Sequence, residues 1–252
     1  MIAATGNRSI AGTVEPFNGF RPAALKFLRA LARNNRKEWF EENRATYERE
    51  VKLPLQMLVE EVDARLGTIA PEITGSPKRS VFRIYRDVRF SNDKSPYKTN
   101  AACWFHHRDA GHSVGTQAVH GGAGMYFQIA PGDSMIAGGI WMPPTAALKV
   151  LREKIAEDHE ELDAIIGEPA FRSAFGKLSE ESVLKRPPRG FDADHAATHL
   201  LRFKSFTVGK ALTDAEVLSP RLPDIIARRY TVMLPFVRWL NTALGLPAAT
   251  RR

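Results

Sequence analysis

The sequence predicts an α+β fold, a central antiparallel sheet flanked by N- and C-terminal helices. Three observations predict it. Apolar residues recur at helical spacing near both ends, residues 82–90 alternate apolar and polar, and two apolar runs near 125 and 141 are joined by a short turn.

The first helix opens at Pro22, a proline suited to a first helical turn, carries Leu25, Leu28 and Ala32 as a stripe, and stops at Asn34-Asn35. Asn35, with Glu38 three residues on, reads as a capping box for a second helix. That helix continues through Trp39, Tyr47, Val51, Leu55, Leu58 and Val62 to Leu66, with Gly67 as its stop. Pro54 lacks an N–H and its ring crowds the Glu50 carbonyl, so a kink or break is expected there.

In the middle, Phe82, Ile84, Val88 and Phe90 alternate with Arg83, Tyr85, Asp87 and Arg89, the pattern of a strand. Residues 101–106 form a shorter strand candidate. Met125, Phe127 and Ile129, then Pro131-Gly132-Asp133, then the apolar run 135–141 read as a hairpin. Gly138-Gly139 in its second strand marks a bulge or a close backbone approach. A helix is expected from Pro144 to Gly167, a short one over 171–178, a strand over 200–208, and a last helix over 220–244 kinked at Pro235. One domain over 16–246 is expected, between a flexible tail at 1–15 and a second tail at 247–252.

Ordinary globular composition accompanies a net charge of +8, which favours encounter with anionic partners. A single cysteine, Cys103, allows no intramolecular disulfide, and no apolar run has membrane-helix length. The expected compartment is the cytoplasm, with no membrane partner.

The charge is concentrated. From Arg83 to Lys98, sixteen residues carry five cations, two carboxylates and two tyrosines. Guanidinium forks beside lysine ammonium groups suit a phosphate or carboxylate. Arg83 and Arg89 lie three same-face steps apart on a strand, too far to share one phosphate. Strand parity sends Arg86 to the face of Ile84 and Val88, where its charge needs an acid, a polar pocket or a bound anion. Asp93 belongs to the turn that follows, as an Asx-turn residue or as a partner for Lys94 or Lys98. A second basic segment, residues 184–191, precedes Asp194-His195, and Lys204 lies between Phe203 and Phe206.

These residues give a basic pocket for a small phosphorylated or carboxylated ligand. Arg83, Arg86, Arg89, Lys94 and Lys98 supply one wall, Lys185 and Lys204 the other, and Tyr85, Tyr97 and Tyr126 hydrogen-bond or stack on the ligand. Should the pocket be catalytic, Asp87, Asp93 and His195 are its proton-transfer candidates. A nucleic-acid-binding module and a protein-interaction scaffold are the alternatives. His106, His107, His112 and His120, with Cys103, match no recurrent zinc spacing, and no metal is assigned. Walker, dinucleotide, nucleophile-elbow and His-Glu-x-x-His motifs do not occur, so no cofactor or reaction follows.

The chain resembles a widespread bacterial and fungal family known as a domain of unknown function. The resemblance rests on Phe17-Asn18-Gly19-Phe20, Asn34-Asn35 with Trp39-Phe40, the stretch from Arg83 to Lys98, Tyr126-Phe127, and Gly138-Gly139 with Trp141 and Pro143. It continues through residues 184–191 and Asp194-His195 with Lys204 and Phe206. It spans roughly residues 17–244 and implies no reaction. Ala196 stands where the family pattern has proline, and the histidine-rich insert lies outside that pattern.

Overall fold

The structure is a computed structural model that describes residues 16–89, 92–110 and 121–249. Helix α1 (Pro22–Arg33) starts at its proline and buries Ala24, Leu25, Phe27, Leu28 and Leu31 as one stripe. The capping box at Asn35 does not form: the N-cap of α2 (Lys37–Tyr47) is Arg36, with no side-chain cap. Asn35 instead donates Nδ2–H to the Tyr97 carbonyl at 2.9 Å and accepts the Tyr97 N–H at 3.0 Å, so its amide acts as a short strand partner.

Pro54 leaves the helix unbroken. A π-helical turn (Glu48–Lys52) joins α2 to α3 (Leu53–Ile69), and Leu53 N–H reaches back to the Glu48 carbonyl. Widening by one residue just before the proline accommodates its ring and missing donor.

The sheet has the order β1-β2-β3-β4-β5, every pair antiparallel. Its strands are β1 (Ile73–Thr74), β2 (Ala101–His107), β3 (Gly124–Ile129), β4 (Met135–Ile140) and β5 (Phe206–Ala211). Over residues 82–89 the predicted strand is instead irregular, and Phe90 lies outside the described residues: the chain bridges β2 at Val81↔Cys103, then returns to itself through Tyr85↔Tyr97. Arg86 N–H donates to the Pro96 carbonyl and Lys98 N–H to that of Ile84.

Register sorts the side chains into two faces. Phe105, Met125, Gly138 and Val208 line up across one, as do Cys103, Phe127 and Ile136. This face meets α3 and α9 (Leu222–Ala243). Contact is closest at Gly138, where an added Cβ would lie 2.1 Å from the Met233 sulfur. Gly139 has φ +114° and leaves its Cβ position 2.0 Å from the Phe206 carbonyl oxygen, so the Gly-Gly pair is a close approach on both sides. One hydrophobic cluster extends from Phe17 to Leu240.

Between β4 and β5 the expected long helix divides into α4 (Thr145–Glu157) and α5 (Glu160–Gly167), followed by α6 (Pro169–Phe175). Residues 200–208 open on α7 (Thr198–Leu201) and become strand only at Phe206. A short α8 (Asp214–Val217) with a complete Thr213–Glu216 capping box leads into α9, whose Pro235 lies inside the helix. Residues 247–249 are held: His107 Nε2 contacts the Pro247 carbonyl at 3.1 Å, and Ala249 N–H points to Glu72 at 3.4 Å. Among the described residues, no helix is long and apolar enough to cross a membrane.

Candidate functional site

Among the described residues no helix lines the opposite face of the sheet, which floors a half-open groove of about 1070 Å³. Its central row is Trp104, Tyr126, Ala137 and Gly209, aligned across four strands by the register. Small residues on β4 and β5 keep the floor low, while Gly124 leaves room for the Trp104 indole, 2.6 Å from where its Cβ would be. Phe82, Arg83, Lys98 and Asn100 form one wall; Lys177, Ser179 and Glu181 form the other. Ser179 is fastened to the sheet by its N–H, which donates to the Thr207 carbonyl at 2.8 Å. Trp141 stands at the rim, 55% exposed.

A polar network crosses the floor. Gln128 Oε1 accepts from Tyr126 Oη–H at 2.9 Å and from Asn100 Nδ2–H at 2.8 Å. Its Nε2 donates to the Asp133 carbonyl and carboxylate. Burial pushes the Tyr126 phenol up to about 12, so it stays protonated and is a donor at neutral pH.

Of the predicted cations, Arg83 and Lys98 line this groove. Among the described residues neither side chain has an acidic partner within ion-pair distance or a hydrogen bond. The Lys98 ammonium lies 5.4 Å above the Phe82 ring. Burial first, then the Arg83 and Arg86 guanidinium groups, hold Lys98 below the ordinary lysine range. The wall thus presents a half-buried ammonium destabilised by positive neighbours, beside an aromatic and polar floor.

The other predicted residues do other things. Parity leaves Arg86 half-buried, and its charge is met by Asp93, with Ser95 Oγ accepting a second bond at 3.2 Å. Asp93 also accepts the Ser95 N–H at 2.9 Å, an Asx-turn. Arg89 grips Asp87 through Nη2 at 2.7 Å, which lowers that carboxyl to about 2 and keeps it ionised. Lys94 donates to the Val88 carbonyl at 2.9 Å. These five residues pin their own loop and do not line the groove. Tyr97 is 1% exposed and stacks on Phe40 at 4.1 Å, which makes it core; Tyr85 packs beside it.

Lys185 and Lys204 are exposed and absent from the groove lining. Their segments pair with each other through Val183↔Phe203. His195 Nδ1 accepts the Ala197 N–H at 3.1 Å, a turn contact outside the groove. Asp87, Asp93 and His195 therefore do not converge on a common site. Cys103 is fully buried and its thiol is pushed up by burial, so it stays protonated. His106 and His107 are buried neighbours on opposite faces of β2, and His112 and His120 lie outside the described residues.

The sequence reading missed Trp104, Trp141, Asn100, Gln128, Lys177 and Lys210, all lining or bracing the groove. The signal that could have found the floor is strand parity. Trp104, Tyr126, Ala137 and Gly209 occupy the outward positions of four strands, large on two and small on the others.

A family model described as "Conserved hypothetical protein (DUF2461)" matches residues 23–239. The chain belongs to this family. The match takes in the whole sheet, the groove walls and nearly all of α9. No curated protein and no solved structure matches the chain.

Proposed function

We propose that the DUF2461 groove binds a small anionic ligand, phosphorylated or carboxylated, whose flat or apolar part lies on the sheet. Arg83 and Lys98 receive the anionic group, Trp104 and Tyr126 support the remainder, and Gln128 and Asn100 fix the Tyr126 hydroxyl. The observation that carries the reading is Lys98: a half-buried ammonium facing the Arg83 guanidinium, with no carboxylate in ion-pair contact with either among the described residues. An anion between them supplies the missing countercharge. The cavity volume lies at the upper end of ordinary small-molecule sites. The groove's carboxylates are Asp133, already hydrogen-bonded by Gln128, and Glu181, so the reading is of binding, with no reaction assigned. The buried, free Cys103 supports a reducing compartment, the cytoplasm.

The test is a thermal-shift screen of phosphorylated and carboxylated small molecules at fixed ionic strength, on the wild type and on Arg83→Met/Lys98→Met. At least one compound should raise the wild-type melting temperature. Loss of about 1.5–3 kcal/mol per charged hydrogen bond should weaken it more than tenfold in the variant. A screen without hits, or hits the double variant retains, refutes the proposal.

The exposed Trp141 indole at the rim, with Lys177 also lining the groove, favours a second reading: single-stranded nucleic acid stacked along the open face. Affinity for an oligonucleotide would then fall steeply with log[salt], in proportion to the phosphates contacted. A small-ligand site shows a much shallower slope.

A further inference from the structure

Away from the groove, the break between α4 and α5 brings together three metal-ligating side chains. His159 precedes the first residue of α5, Asp163 follows one helical turn later on the same face, and His199 enters from α7. The carboxylate lies between the two imidazoles: His159 Nδ1 is 2.8 Å from Asp163 Oδ2, and His199 Nε2 is 2.8 Å from Asp163 Oδ1. All three ligand atoms lie within 4.8 Å of one another.

The orientation of His199 is informative. Its Nδ1 faces the Ala196 carbonyl at 3.1 Å, and a carbonyl only accepts, so that nitrogen carries the proton. In the neutral ring this leaves the Nε2 lone pair aimed at a carboxylate oxygen. Something positive must lie on that line: either a second proton on the ring or a cation held by both groups. A backbone carbonyl fixing one nitrogen while the other meets a ligand is the arrangement that orients metal-bound histidines.

We propose that His159, Asp163 and His199 form a binding site for a divalent late-transition-metal ion, with Zn²⁺ as the probe. Two imidazoles and one carboxylate suit zinc, copper or nickel rather than magnesium or calcium. Four ligands at about 2.0–2.2 Å from zinc stand roughly 3.3 Å apart, so small side-chain rotations close the present spacing. With His199 about half exposed, water completes the coordination and the ion has an open path. The ion would tie the α4–α5 corner to the segment that delivers β5, independently of what fills the groove.

The experiment uses the full, untagged chain, stripped with chelator and titrated with Zn²⁺ by calorimetry, with Co²⁺ absorbance as a second readout. One ion per chain should bind at this cluster, with visible bands of four- or five-coordinate Co²⁺. At free zinc about 100 times Kd, the melting temperature should rise by about 5–10 °C. Affinity should fall at least about tenfold in His159→Ala and in His199→Ala. Asp163→Asn, which keeps the side-chain shape, should behave alike, so a misfolded histidine variant would not leave the question open. His112→Ala/His120→Ala should bind as the wild type does. The proposal is overturned if zinc is not taken up by 100 times the protein concentration, or if His159→Ala/His199→Ala binds unchanged. Either result would leave the three side chains as a hydrogen-bonded cluster around Asp163.

Discussion

Arg238→Met should be among the most destabilising single changes distant from the groove. Glu72 is 1% exposed, and its carboxylate receives Arg238 Nε–H at 2.7 Å and Nη2–H at 3.3 Å. The same guanidinium donates to the Ile69 carbonyl at 3.2 Å and so closes the last turn of α3. Removing one member of a buried pair costs about 3–5 kcal/mol, because the remaining charge is left unsolvated. Arg238 is about one-third exposed, so water reaches part of the vacated space and about 2–3 kcal/mol is the expected loss. For a chain of this length that lowers the melting temperature by about 4–12 °C.

The pH dependence fixes the cause. Burial pushes the Glu72 carboxyl up, but the bonds and charge of Arg238, together with the backbone N–H groups of Glu72 and Ala249, more than reverse this, so its folded pKa lies below the ordinary 4.5. In the wild type this contribution is complete above that value and is lost as pH falls through the lower folded pKa. Without Arg238, burial is opposed only by the backbone N–H groups of Glu72 and Ala249, and the carboxyl takes up its proton at higher pH. The penalty is then greatest at neutral pH and shrinks on acidification. Calorimetric melting at pH 7.5 and 4.5 reads both effects, and Glu72→Gln/Arg238→Met should recover at least half the loss. A variant within 1 °C of wild type at pH 7.5, or a deficit equal at both pH values, would refute the reasoning.

Gly138→Ala should cost about 1–3 kcal/mol by denaturant titration, since its Cβ meets the Met233 sulfur at 2.1 Å and the Gly124 carbonyl oxygen at 2.8 Å. An unchanged midpoint would mean that β4 and α9 are not in such contact. Tyr230→Phe should be neutral or stabilising by up to about 1 kcal/mol, because its buried hydroxyl has no hydrogen-bond partner among the described residues; a clear loss would reveal a partner. Asn35→Ala should cost about 1–3 kcal/mol and raise protease sensitivity near Tyr97, whose backbone it pairs on both sides. Wild-type proteolysis rates would count against that role.

Periodicity made most of the fold legible. The terminal helices and the β3–β4 hairpin follow from spacing and turn residues, because each buries one stripe or face against the same core. The loop at 82–89 was misread because a segment with one side on the core alternates in burial as a strand does. Here Ile84 is buried between exposed Arg83 and Tyr85, but the hydrogen bonds return to its own chain. In residues 200–208 the apolar run continues across a helix end and a turn, and composition alone could not locate the change at Phe206.

The site was legible as a collection of cations but not as a geometry. Arg86, Arg89 and Lys94 have hydrogen-bond partners within the same loop, whereas the side chains of Arg83 and Lys98 have no hydrogen bond or ion pair among the described residues, and only folding distinguishes them. Trp104 lies on a strand whose every residue is buried, so neither composition nor alternation marks it as facing the groove. The histidine cluster was out of reach because His199 lies 36 residues beyond Asp163 and meets it only through packing of α7 on the α4–α5 corner.

Arranging the strands in chain order leaves two unpaired borders, and a naked border invites another molecule to add a strand and start a fibre. This chain blunts both. Beyond β2, the two-residue β1 and then the single bridge at Val81 occupy the hydrogen-bonding positions in short pieces. Beyond β5, the backbone of Ser179 takes the Thr207 carbonyl, and Lys210 adds a charge where an incoming strand would dock. The open face can therefore stay available without making the protein prone to aggregate through its margins.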